Sequence, residues 1–129
     1  MTNFDVFLSY DVADSTLARN VKRRLEAHGL SVYASAPLTR RDTAAESGIR
    51  RALAESRAFV ALMSPKTSHS PWILFESGAA WQQHMPIYVL QKGVRAGEMS
   101  GFFQKHARVL ALQRLNTLAG ALTPTRVAV

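Results

Sequence analysis

One carboxylate in this sequence stands apart from the others. Glu76 lies in the segment Ser70-Pro71-Trp72-Ile73-Leu74-Phe75-Glu76-Ser77-Gly78-Ala79-Ala80-Trp81, and no other acid occurs between Glu55 and Glu98. A carboxylate among Trp, Ile, Phe and Ala side chains is disfavoured in its charged form unless a partner holds it. Such a group is either half of a structural ion pair with an arginine or a reacting group tuned by its surroundings. Both readings stay open at this level.

Other chemistries are excluded more firmly. The chain has no cysteine, which removes disulfides, thiolate zinc sites and thiol nucleophiles and suits a reducing, cytoplasmic compartment. His28, His69, His84 and His106 lack metal-ligand spacing. Lys66-Thr67 has no glycine-rich run before it, and no G-x-G-x-x-G follows an apolar run. Ser64 and its neighbouring hydroxyls have no evident His and Asp partners, against a serine hydrolase.

The elements that must position Glu76 can be read from hydropathy. Five apolar runs, Phe4–Ser9, Leu30–Ala34, Ala58–Met63, Pro86–Leu90 and Arg108–Leu112, alternate with amphipathic segments. Near-continuous runs of this kind are strands buried on both faces. Asp14–His28 carries Leu17, Val21 and Leu25 at helical spacing, with Asp14 as its expected cap and Gly29 as its stop. Ala44–Ser56 is expected to open with a Thr43/Glu46 capping box and to turn Ala45, Ile49 and Leu53 inward. Ser70 and Pro71 give the third helix a strong start. Lys92–Gln104 is loop-like with at most a short helix, and Gln113–Leu122 is a final helix. Thr123–Val129 contains Pro124, has no periodicity and reads as a tail or linker after a domain spanning residues 1–122.

Strand–helix alternation predicts an α/β, flavodoxin-like three-layer sandwich: a five-stranded parallel sheet in order 2-1-3-4-5 with helices on both faces. Ligands bind such sheets beyond the carboxyl ends of the strands, at the switch point, here between the first and third strands. Ser9-Tyr10-Asp11, the loop Ser35–Asp42 and the loop Ser64–Ser70 meet there. Glu76 follows in the helix entered from the last of these. Helical spacing sets it roughly on one side with Trp72, Ala79 and Ala80. Gly78 is expected to permit close contact between helix and sheet. A phospho-acceptor receiver domain shares this fold, but it needs an aspartate where this chain reads Met63-Ser64-Pro65.

The net charge is +7. The basic residues are dispersed and no aromatics interleave with them, so solvated helix faces account for them better than direct nucleic-acid binding. No apolar run approaches the roughly 20 residues that span a bilayer, and Met1–Asp5 lacks a signal-peptide start.

Phe4-Asp5-Val6-Phe7-Leu8-Ser9-Tyr10 resembles the first sequence box of Toll/interleukin-1 receptor (TIR) domains. Ser70-Pro71-Trp72 with Glu76 four residues on resembles their Trp-x-x-x-Glu helix. The resemblance covers about residues 4–120. The Glu-Ser-Gly-Ala-Ala stretch also looks like nucleoside deoxyribosyltransferases, a further nucleotide-enzyme reading. The TIR resemblance implies cleavage of NAD⁺ at the nicotinamide–ribose bond, as in the NAD⁺-cleaving members of that family, with NAD⁺ as substrate and no cofactor. It implies that Glu76 is essential. It also implies that the loop Ser35–Asp42 packs against other TIR domains in a homo-oligomer or filament. Here Pro37 is followed by Leu38 where the family has a glycine.

On that reading the neutral nicotinamide leaves without a general acid, and Glu76 offsets the positive charge on the ribose. Water attack gives ADP-ribose, and attack by an atom of the same molecule gives a cyclic product. Tyr10, Tyr33 or Trp72 would stack on a ring, and Ser9, Asp11, Arg40, Arg41 and Ser64 would hold ribose or phosphate oxygens. Each has a plainer reading: Trp72 as a core anchor, Asp11 as a turn former, Tyr33 as a buried strand residue, Arg40 and Arg41 as solvated charges. The expected function is an NAD⁺-consuming effector of bacterial antiphage defence, activated by self-assembly and coupled to a sensor module. The alternative is a non-enzymatic TIR adaptor.

Overall fold

The computed structural model describes residues 3–38 and 42–123. Five parallel strands form its sheet: β1 (Phe4–Ser9), β2 (Val32–Ser35), β3 (Ser56–Met63), β4 (Ile87–Gln91) and β5 (Ala107–Ala111). Their order is β2-β1-β3-β4-β5, as the alternation of elements predicts. The helices are α1 (Ser15–Ala27), α2 (Thr43–Ala54), α3 (Pro71–Gln82), α4 (Gly101–His106) and α5 (Leu115–Leu122).

Side chains alternate across each strand, so the sheet carries two cores. Val6, Leu8, Val60 and Leu62 meet Val21 and Leu25 of α1 and Leu115 and Leu118 of α5. Phe7, Phe59, Ala61 and Met63 meet Leu53 of α2, Ile73 and Ala80 of α3 and Phe103 of α4. The aromatic part of this second core is a short stack. The Phe7 ring centroid lies 5.5 Å from that of Tyr33 and 5.7 Å from that of Phe59. Such pairs add about 0.5–1.5 kcal/mol each beyond the area they bury.

At the amino edge of the sheet, Asp5 gathers four donated hydrogen bonds. Arg57 gives two, from Nε at 3.1 Å and Nη2 at 2.8 Å, and Ser31 gives its N–H and hydroxyl. The same Arg57 Nη2 donates to the Leu122 carbonyl at 2.8 Å, fixing the end of α5 to the start of β3. Burial works against the Asp5 carboxylate, but the Ser31 and Arg57 donors outweigh it and hold the group below its ordinary range.

Local details correct several expectations. Asp14 occupies the N-cap position of α1 but makes no capping hydrogen bond, because its carboxylate turns inward. A 3₁₀ turn, Val12–Asp14, precedes α1, and Asp11 caps it by accepting from the Ala13 N–H. The Thr43/Glu46 box is replaced by Asp42, which accepts from the Ala45 N–H at 3.1 Å, so α2 starts a residue early. Gly78 does not mark a close approach, since a Cβ there would meet nothing within 4 Å. Gly29 takes φ +83°, the left-handed stop expected after α1. Ser70 and Pro71 open α3 as expected. The tail 124–129 lies outside the described residues.

Candidate active site

α3 buries Ile73, Glu76, Ser77 and Ala80 against the sheet. Glu76 is 2% exposed. Its carboxylate lies at the carboxyl edge of the strands, where two hydroxyls meet it. Ser9, the last residue of β1, donates to Oε1 at 2.6 Å, and Ser35, the last residue of β2, donates to Oε2 at 2.8 Å. Among the described residues the ion pairs are Arg57–Asp5 and Arg95–Glu98, and neither involves Glu76. The structural ion-pair reading of this residue therefore finds no support there.

Burial is the main influence on the Glu76 carboxyl and raises it from 4.5 to about 7, against the opposing pull of Ser9, Ser35 and Trp72. The Trp72 indole N–H is buried and closes no hydrogen bond in good geometry, although its proximity also favours the charged carboxylate. A rise from 4.5 to about 7 is worth about 3 kcal/mol between the two protonation states. Tyr33 lies on the same face two residues before Ser35. Its phenol is pushed above its ordinary value by burial and then by the nearby Glu76 charge.

The remaining candidates divide by position. Ser9 and Trp72 lie with Glu76. Tyr33 is half-buried in the Phe7 stack and senses the Glu76 charge. Asp11 bridges two loops, accepting from the Ser70 hydroxyl at 3.0 Å. Tyr10 packs against the opposite core, with Ala18 and Ala34. Strand alternation explains this: the residue after Ser9 turns to the other face. Ser64 also stands elsewhere. Its hydroxyl donates to Asp14 Oδ1 at 2.9 Å, and Thr67 donates to Asp14 Oδ2 at 2.7 Å. Asp14 and Ser64 border a cavity of about 750 Å³ whose lining residues include Lys66 and Lys92 but not Glu76. Arg40 and Arg41 lie outside the described residues.

Two shallow grooves run between α2 and α3 over the site. One, of about 260 Å³, is lined by Leu38, Ile49, Arg50, Trp72 and Phe75 among others. The other, of about 290 Å³, is bordered by Glu76 itself with Arg50, Leu53, Ala79 and Gln83. Neither group of lining residues includes Ser9 or Ser35, so the hydrogen-bonded end of the carboxylate is covered.

Ser35 escaped the sequence reading, which ended the second strand at Ala34. The signal was present. Phe7 and Ser9 share one face of β1, and Tyr33 and Ser35 share the same face of β2, so equal parity puts both serines under α3.

A family profile described as TIR domain matches residues 6–99. The chain belongs to the TIR-domain family. This TIR domain is similar in fold to a metazoan TIR-STING receptor from C. gigas, with TM-score 0.72 and 17% identity over 95% of this chain and 41% of that one. The same receptor in complex with 2′,3′-cGAMP gives TM-score 0.70 and 18% identity, covering 95% and 40%. The sugar isomerase domain of an RpiR transcription factor from Sphaerobacter thermophilus gives 0.57 and 12%, covering 91% and 68%. At these identities the likeness concerns the fold alone. This TIR domain spans about two fifths of the length of the TIR-STING receptors. No curated protein matches it.

Proposed function

We propose that this TIR domain cleaves NAD⁺ at the nicotinamide–ribose bond, with Glu76 as the catalytic carboxylate. One observation carries the reading. Glu76 is buried, has no cationic partner among the described residues, and is held by hydroxyls at the carboxyl edge of β1 and β2. Leaving a carboxylate in such a place costs stability, and a fold keeps such costs where chemistry needs them. A cationic nicotinamide-ribose brought to this edge would draw the carboxyl into its charged form. That charge would then offset the oxocarbenium character of the ribose as the bond breaks. Nicotinamide departs neutral, so a single carboxylate suffices. Water attack yields ADP-ribose, and internal attack yields a cyclic isomer.

The covered carboxylate fits a resting state that opens when copies assemble through the loop Ser35–Asp42. In a cell, this would make the domain an effector of antiphage defence controlled by a sensor. Purified protein, concentrated and incubated with NAD⁺, should release nicotinamide, measured by chromatography. Glu76→Gln, which keeps the volume and removes the charge, should lower that release by at least about 100-fold. Turnover within a few-fold of the parent would remove Glu76 from the mechanism.

A second reading, a docking module without turnover, draws support from α3. Phe75 is 71% exposed, Trp81 50% and Leu74 41%, an apolar surface that copies of the domain could share. Release of no nicotinamide by assembled protein would favour it.

A further inference from the structure

The geometry points to Ser35, together with Ser9, as a two-pronged positioning device that sets the plane of the Glu76 carboxylate. The inference rests on the catalytic reading of Glu76. Ser9 and Ser35 are register partners in the parallel β1–β2 pair, so their side chains stand side by side on one face of the sheet. Each takes a different carboxylate oxygen, at 2.6 and 2.8 Å, and both serines are buried. The terminal torsion of a glutamate is broad and poorly fixed by its own sterics. One hydrogen bond would leave it free to swing, whereas two on separate oxygens fix it. Each oxygen has a second lone-pair direction, so the pinned group can still accept from a ribose hydroxyl.

The placement has a further consequence. Ser35 is the last residue of β2 and the first of the loop Ser35–Asp42. The prong thus links the start of that loop to the carboxylate through a single hydrogen bond.

Against the burial that raises the carboxyl, Ser9 and Ser35 are the first opposing groups, with Trp72 after them. From β2, Tyr33 faces the site as a neutral phenol at ordinary pH. From α2, Arg50 borders the same groove without forming an ion pair with Glu76. From α3 itself, Trp72 brings an indole N–H. The β3 and β4 side chains of that core, Phe59, Ala61, Met63, Ile87 and Val89, carry no charge.

The test is a titration of Glu76 by carbon-detected NMR of labelled carboxyls, paired with the pH profile of nicotinamide release. Ser35→Ala removes a donor to the charged form, so the Glu76 midpoint should move alkaline by about one unit. The acid limb of kcat/KM should move with it. Below the midpoint the rate should fall about tenfold from ionisation alone, and well above it a smaller, pH-independent loss in kcat should remain, left by the freed carboxylate plane. Ser35→Thr keeps a hydroxyl and should restore the parent midpoint. Should Ser35→Ala not fold, Ser35→Cys, a weak donor of similar size, carries the same expectation. An unmoved midpoint in a folded variant overturns the positioning role, whatever the turnover. A moved midpoint in a protein that releases no nicotinamide keeps the positioning role and overturns the catalytic one.

Discussion

Glu76 makes a measurable claim on stability. In the unfolded chain its carboxyl ionises near 4.5, and in the fold burial holds it to about 7. Below about pH 4.5 both states are protonated and nothing is lost. Between the two values the unfolded chain releases a proton that the fold retains, so stability falls as pH rises. Above about 7 the full cost, about 3 kcal/mol, is present. Glu76→Gln, which does not titrate, should therefore stabilise the protein at pH 8 relative to its effect at pH 4 by about 3 kcal/mol, because the poorer match of an amide to two hydroxyl donors is the same at both. Urea denaturation at the two pH values checks this. An equal difference at both would mean that the carboxyl ionises normally. The acid was legible in the sequence because charge in an apolar helix is conspicuous. The serines were less so, because hydroxyls at strand ends are common and only strand parity picks out these two. Asp14 was misread for a related reason: an Asp before a helix usually caps it, and here Ser64 and Thr67, distant in sequence, draw it away.

At the level of elements, the hydropathy pattern was sufficient for the strands and their order. β1 matched to the residue, β3 ended at Met63 as expected, and the remaining strand boundaries shifted by one or two positions. Those shifts decided whether Ser35 belonged to a strand or a loop. Hydropathy alone does not say whether a polar residue that follows an apolar run still belongs to the strand: Ser9 was included and Ser35 was not. Gly78 shows the opposite error, a glycine given a packing role that the structure does not require. It sits within α3, half-buried, with open space where a Cβ would go. Gly78→Ala should then raise stability by about 0.5–1 kcal/mol through helix propensity alone, read as a higher urea midpoint. Nicotinamide release should be unchanged. A loss of stability would mean that the helix needs the missing methyl's space after all.

Across the whole molecule, charge and surface oppose each other. A net charge of +7 on 129 residues keeps copies apart, while Phe75, Trp81 and Leu74 offer an apolar face that would bring them together. Screening reaches only about 8 Å at 0.15 M salt, so added salt weakens the repulsion and leaves the apolar attraction. With saturating NAD⁺, nicotinamide release per molecule should climb with protein concentration. At fixed concentration it should also climb between about 0.02 and 0.15 M salt. A rate strictly proportional to concentration and indifferent to salt would disconnect turnover from assembly. Composition made the charge plain. The apolar face was not legible, because hydropathy alone does not say which side of an apolar helix meets the sheet.

The Arg57 clamp has one more implication. Asn3 bonds to Glu55 just before β3, and Arg57, near the start of the same strand, grips the Leu122 carbonyl. Both ends of the described chain thus leave from the floor of the sheet, while Ser9, Ser35 and Glu76 occupy its opposite rim. A fluorescent reporter joined directly to Asn3 or Thr123 would therefore start like a keel, on the side of the sheet away from the serines.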